Sequence, residues 1–162
     1  IRLAAMLHDI GKVGISDLIL KKPGKLTDDE FAVMRGHAAI GAAILAEDLS
    51  DISALSQDIA LHHHQKWNGR GYPAIEGKTP AGESIPLGAR MVAVADVFDA
   101  LVSPRCYKKP WSFAEALELL RKEAGEHFDP HLVECMVEIR DLLPLIYERF
   151  PDVPQKEDGA AR

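Results

Sequence analysis

"LGARMVAVADVFDALV", residues 87–102, is apolar almost throughout, broken only by Arg90, Asp96 and Asp99. A helix that is apolar nearly all round must be covered on most sides, so this segment is expected to be central and buried. The other helices read outward from it. Upstream, "IRLAAMLHDIGK" (1–12) carries a stripe of Leu3, Met6, Leu7 and Ile10 that Gly11 stops. "KKPGKLTDDE" (21–30) is a connector, and Thr27 with Glu30 makes a capping box that starts a helix near residue 28. That helix bears Phe31, Met34, Ile40, Ile44 and Leu45 and is expected to end around Asp48. A third runs from about Asp51 through His64 with Ile52, Leu55 and Ile59 inward. Downstream, Ser112 with Glu115 caps a fifth helix, and Asp129 followed by Pro130 opens a sixth. With no repeat and no strand pattern, the fold class is all-α, a helical bundle.

The bulk properties exclude several functions. At 162 residues, 47% apolar and 27% charged, the chain has the size and composition of one globular domain, taken as 1–150, with 151–162 read as a disordered tail. A net charge of −6 argues against a general nucleic-acid surface or contact with an anionic membrane. A polyanionic substrate would need local cations or metals. No run approaches the ~18 apolar residues of a membrane span, and no signal peptide is visible. Cys106 and Cys135 form no CxxC pair, which fits a reducing, cytoplasmic setting. The opening Ile1, inside an apolar segment, reads as the edge of a longer protein whose first helix or helices lie upstream.

Polar groups stand where the apolar pattern calls for core. His8 and Asp9 end the first helix, and His37 falls on the Val33/Ile40/Ile44 face of the second. His63 follows Ile59 by four on the inward stripe of the third, with His64 beside it; Asp96 is embedded in "VAVADVFDAL" and shares a face with Val92 and Asp99. A buried imidazole or carboxylate costs several kcal/mol unless it is partnered. Asp96 alone could pair with Arg90, and His37 alone could be a satisfied core residue. Histidines and aspartates converging from four helices instead suit divalent metals held in a bundle core. Nitrogen and oxygen donors without thiolate favour iron, manganese or zinc. Residues 66 to 88, with five glycines and three prolines in 23 positions, form a loop long enough that it is either functional or mobile. Within it, "WNGRGYP" offers Trp67 and Tyr72 as stacking faces.

"HDIGK" (8–12), "MRGH" (34–37), "HHHQKWNGRGYP" (62–73), "ARMVAVADVFDAL" (89–101), "SPRCYKKPW" (103–111) and "GEHFDP" (125–130) together resemble the HD-GYP domain, a branch of the HD superfamily of metal phosphohydrolases. The resemblance covers roughly residues 1 to 140. It implies a helical bundle around two or three divalent metal ions, iron or manganese first, with zinc, nickel and magnesium as alternatives. It also implies hydrolysis of the bacterial second messenger cyclic di-GMP to pGpG and GMP. Carried over by position, His8, Asp9, His37, His63, His64 and Asp96 are the metal ligands, Asp9 bridging two ions. Lys12 is the lysine facing the scissile phosphate, Tyr72 lies beside the substrate, and Asp99, Arg105 and Lys108 contact the dinucleotide. His62 and His127 correspond to no ligand and are read as flanking and structural.

The chemistry suits these residues. Two ions can share a water and bring its pKa from about 15.7 to near 7, while clamping a phosphate oxygen. Lys12 then offers charge where the transition state becomes more negative. As partners the resemblance implies GGDEF-type diguanylate cyclases, reached through the GYP loop, and an upstream sensory or receiver domain. Two departures stand out: Gln65 replaces the usual glutamate, and the ligands that family members draw from a helix preceding residue 1 have no counterpart here. The rivals are a non-catalytic regulator that binds metal or cyclic di-GMP and signals through the GYP loop, and an HD phosphohydrolase of another nucleotide, including a hybrid cyclic dinucleotide.

Overall fold

The computed structural model describes residues 1–46, 51–104 and 109–150, with Asp51 and Ile52 described by backbone alone. The expected helix end at Asp48, the residues Arg105, Cys106 and Lys108, and the 151–162 tail lie outside the described residues. In chain order the α-helices are α1 (Arg2–Ala5), α2 (Asp17–Leu20), α3 (Asp28–Arg35), α4 (His37–Leu45), α5 (Asp51–His62), α6 (Leu87–Val102), α7 (Phe113–Lys122), α8 (Pro130–Glu138) and α9 (Leu143–Arg149). Short 3-10 turns cover Ile10–Gly14, Gly82–Ser84 and Arg140–Leu142. Among the described residues β structure is limited to two isolated bridges, so the fold is all-α.

α6 joins two apolar clusters. Its first half puts Val92 against Ala4 and Ile59, and its second half puts Val94, Phe98 and Val102 into a larger cluster with Leu117, Leu120, Phe128 and Val133. The helix is not covered all round, as its composition suggested. Leu87, Met91, Ala95 and Asp99, spaced by four, form one exposed stripe.

The termini follow local chemistry. Thr27 and Ser112 each make a complete capping box, with Glu30 and Glu115 as the reciprocal partners. Asp129 caps α8, accepting from the His131 N–H at 2.9 Å, while its other carboxylate oxygen takes a 2.6 Å bond from Arg90. Arg90 therefore ties α6 to the α8 cap, and its Nε donates to the Ile85 carbonyl at 2.9 Å. Both side chains of this pair are largely buried. Asp129→Ala should then cost about 3 kcal/mol by urea unfolding, since it removes a cap and strands a buried guanidinium; Asp129→Asn, which keeps an acceptor, should cost less.

Three expectations are corrected. The first apolar stripe does not face the core: α1 stops at Ala5, with Leu3 58% and Met6 75% exposed, and Ala4 is the residue that packs. The expected single helix from residue 28 onward is two, divided at Gly36. On α4 the buried face is His37, Ala38, Gly41 and Ala42, whereas Val33, Phe31 and Ile44 are exposed. Small residues rather than large ones line the inward side because another backbone must come close there. The helix α9 had no counterpart in the sequence reading.

Candidate metal centre

The approach of two backbones builds the site. The 3-10 turn Ile10–Gly14 lies on α4 so closely that a Cβ on Gly11 would fall 1.9 Å from the His37 carbonyl oxygen and 2.4 Å from the Gly41 nitrogen. Only glycine fits at residue 11, and only a small-residue face on α4 accepts it. The consequence is that Asp9, which begins the turn, sits against His37. α5 ends at His62, and the following turn directs His63 and His64 inward while His63 N–H still bonds the Ile59 carbonyl at 2.9 Å. His63 lies four residues past the fully buried Ile59, which accounts for its own burial.

One donor atom each from Asp9, His37, His63 and His64 lies within 4.8 Å of the others. His37 Nε2 stands 3.3 Å from His63 Nε2 and 3.2 Å from His64 Nε2. Asp9 Oδ1 is 3.4 Å from His37 Nε2 and 3.9 Å from His63 Nε2. His8 borders this group, with its Nε2 3.4 Å from Asp9 Oδ2 and 3.8 Å from Asp96 Oδ1. Every ligand expected from the sequence is thus contiguous with the others, although His8 and Asp96 stand at the rim.

The arrangement fits a cation. His8 Nδ1 lies 2.7 Å from the Ala5 carbonyl, His37 Nδ1 2.7 Å from that of Met34, and His63 Nδ1 3.0 Å from that of Ala60. A carbonyl oxygen can only accept, so each of these nitrogens carries its proton and each neutral ring leaves Nε2 as a lone pair. The His37 and His63 lone pairs face one another across 3.3 Å, His64 Nε2 lies 3.2 Å from His37 Nε2, and Asp9 Oδ1 is buried with no hydrogen-bond partner. Facing acceptors and an orphaned carboxylate oxygen are unfavourable without positive charge between them.

Burial lowers the His63 imidazole to about 4 and that of His64 to about 3, with neighbouring imidazoles adding to the effect. Both rings are therefore neutral at pH 7. Donation of a hydrogen bond to the Asp9 carboxylate raises the His8 imidazole. For Asp9, burial pushes the carboxyl up, but the bonds and charges of His8 and Lys12 outweigh it and hold the group well below the usual carboxylate range. For a histidine depressed on folding, the unfolded chain binds more protons below its ordinary pKa of about 6.5, so stability is lost as pH falls through that value. Depressed Asp9 works in the same direction at lower pH, and raised His8 opposes it. The metal-free chain should accordingly lose stability from pH 7 to pH 4, measured as a falling urea midpoint.

The remaining candidates divide. Lys12 Nζ is 2.5 Å from Asp9 Oδ2, at the mouth of the group. Tyr72 stacks on His64, ring centroids 4.7 Å apart, and burial pushes its hydroxyl up to about 12. Its loop is clamped: a Cβ on Gly71 would meet the Lys66 nitrogen at 2.4 Å and the His64 carbonyl at 2.5 Å. Gln65, 2% exposed, donates to the Pro73 carbonyl at 2.6 Å across a cis Tyr72–Pro73 bond. Gln65 is therefore the side chain that holds the loop to the histidine turn, a role that the sequence reading, which treated it as a departure, missed. Asp99 is outside the group; its Oδ1 accepts from Tyr147 at 2.9 Å and Ser103 at 3.1 Å. His62 bonds the Asp58 carbonyl, and His127 stacks on Phe128 at 4.2 Å.

Helices arranged around a group that begins with an adjacent His-Asp pair define the class, and known proteins agree. The HD domain model matches residues 1–132. The chain belongs to the HD domain family, in its HD-GYP branch. It is 46% identical over 154 residues to a Vibrio cholerae protein named cyclic di-GMP phosphodiesterase, covering 92% of this chain and 30% of that protein. It is 47% identical over 143 residues to a cyclic di-GMP phosphodiesterase of Pseudomonas aeruginosa, covering 88% and 33%. It is 43% identical over 152 residues to a 3'3'-cGAMP-specific phosphodiesterase of V. cholerae, covering 94% and 28%. The chain thus spans about a third of the length of these relatives. A crystal structure of a cyclic GMP-AMP-specific phosphodiesterase of V. cholerae shares the fold, with a TM-score of 0.64 and 20% identity over 90% of this chain and 38% of that one. No helix among the described residues is long and apolar enough to cross a membrane.

Proposed function

We propose that the chain is the catalytic module of a metal-dependent phosphodiesterase that opens the 3′–5′ phosphodiester of cyclic di-GMP, giving pGpG and, after a second cut, GMP. The observation that carries this reading is the convergence of the His37, His63 and His64 Nε2 atoms beside the unpartnered Asp9 oxygen. His8, Asp9, His37, His63, His64 and Asp96 would hold the metal, with Asp9 shared between ions, and the all-nitrogen-and-oxygen set favours iron or manganese. Bound divalent ions would supply positive charge for the phosphate and a water acidic enough to serve as nucleophile at neutral pH.

The chain's own residues do the rest. The carbonyls of Ala5, Met34 and Ala60 fix the histidine tautomers and ring orientations. Lys12 keeps an ammonium at the mouth, where the phosphoryl group becomes more negative. Tyr72, stacked on His64 in the loop that Gln65 holds, would form a wall beside the phosphate, and Arg105 and Lys108 are the residues that the family resemblance assigns to the dinucleotide. A non-catalytic regulator would not require so complete a set of convergent ligands.

The test is anaerobic preparation with metal analysis, followed by incubation with cyclic di-GMP and, because a relative is named for it, 3'3'-cGAMP. About two or more metal equivalents with appearance of pGpG before GMP is the expected result. Metal at that level with neither dinucleotide consumed would favour the regulator; consumption of 3'3'-cGAMP alone would favour the hybrid substrate.

A further inference from the structure

"MRGH" contributes His37 to the metal centre, but its arginine has no assigned role. Phe31 and Arg35 sit four residues apart on α3 and therefore share a face. The Arg35 guanidinium carbon lies 4.5 Å from the Phe31 ring centroid and 5.3 Å from that of Tyr72, the ring that stacks on His64. An unbroken line of contacts thus runs from the metal centre outward: His64, Tyr72, Arg35, Phe31.

Among the described residues Arg35 makes no ion pair, whereas Lys12, Lys21, Lys22, Arg90, Arg121 and Arg140 each have a carboxylate within 4.0 Å. Two aromatic neighbours hold the guanidinium by cation–π contact, which engages its face and leaves the N–H groups of its edge free to donate. In an acidic chain, a cation fixed next to a metal centre and not neutralised by a carboxylate is a ready receptor for a second anion. The last-turn position of α3 also suits a cation electrostatically, but the helix end by itself would not require two aromatic rings to hold the side chain in place.

We infer that Arg35 binds the phosphate of a cyclic dinucleotide that is not being cut, anchoring the far side of the ring while its partner phosphate occupies the metal centre. This inference rests on the proposed function. It makes Arg35 a substrate-binding residue that sets affinity for a ligand with two phosphates and contributes little to a ligand with one.

The experiment is equilibrium binding of a hydrolysis-resistant bis-phosphorothioate analogue of cyclic di-GMP to the manganese-loaded chain, by calorimetry, for the unsubstituted protein, Arg35→Ala and Arg35→Lys, with manganese content measured for each. Hydrolysis of bis(p-nitrophenyl) phosphate, which has one phosphate, is followed in parallel. Arg35→Ala is expected to weaken binding of the analogue about ten- to hundred-fold, the usual effect of losing a charge-assisted contact, with manganese content and the one-phosphate rate unchanged. Arg35→Lys should recover part of the affinity by keeping the charge. Unchanged affinity in Arg35→Ala, a Lys variant as weak as the Ala variant, or equal losses on both ligands would overturn the assignment. If the unsubstituted chain binds cyclic di-GMP without cutting it, the phosphodiesterase reading fails and the binding comparison still decides the role of Arg35.

Discussion

Asp9→Ala should reduce metal content to background and abolish turnover, while the far-UV circular dichroism of the metal-free chain stays unchanged. The reasons are geometric. Asp9 Oδ1 faces His37 and His63 with no hydrogen bond of its own, and Oδ2 meets Lys12 and His8, so the carboxylate's polar contacts all lie within the group. Without it, the converging imidazoles keep only Asp96, at the rim, as an anionic donor, a poor site for a hard divalent ion. Asp99→Ala is the control for metal content, because that carboxylate bonds Tyr147 and Ser103 instead. Plasma emission analysis of the two purified variants separates them; a metal-replete Asp9→Ala protein would exclude this residue as a shared ligand.

Lys12→Met should behave differently, retaining metal while kcat falls about a hundred- to thousand-fold, the range seen when one preorganised charge at a transition state is removed. Methionine keeps the aliphatic reach and discards the ammonium. Lys12 also contacts Asp9, so a second outcome has a distinct meaning. If the variant loses its metal along with its activity, the lysine serves to hold Asp9 rather than to meet the phosphate. Steady-state rates with metal analysis on the same sample distinguish the two roles.

What could be read from the sequence followed how local its physics is. The boundaries of α6, the two capping boxes and the Asp129–Pro130 start of α8 depend on residues three or four apart, and the structure has them as expected. The stripe Leu3–Met6–Leu7–Ile10 misled because helical spacing says nothing about whether a neighbour covers that face, and two of those residues are mostly exposed. On α4 the large residues drew attention, but the inward face is made of His37, Ala38, Gly41 and Ala42, chosen for the backbone of Gly11. That requirement is non-local, and a periodicity of bulky side chains hides it. The break at Gly36 has the same character.

The site was legible for a different reason. Imidazoles and carboxylates at core positions are costly enough to need a purpose, so His8, Asp9, His37, His63, His64 and Asp96 stood out one by one, and their motifs linked them. Arg90 appeared a plausible partner for Asp96, yet it bonds Asp129, 39 residues away along the chain. The roles of Gln65 and Arg35 were missed because they depend on Pro73 and Tyr72 returning to them after a loop. The four-residue spacing of Phe31 and Arg35 was the one local signal of a held arginine.

The central claim is that imidazole and carboxylate donors from separate segments enclose divalent cations. Anomalous diffraction from crystals of the anaerobically prepared, manganese-loaded chain, collected on both sides of the metal absorption edge, tests it most directly. The account requires anomalous peaks enclosed by Asp9, His37, His63 and His64, extending toward His8 and Asp96. Peaks located elsewhere, or a loaded crystal in which those side chains keep their metal-free contacts with no peak between them, would contradict it.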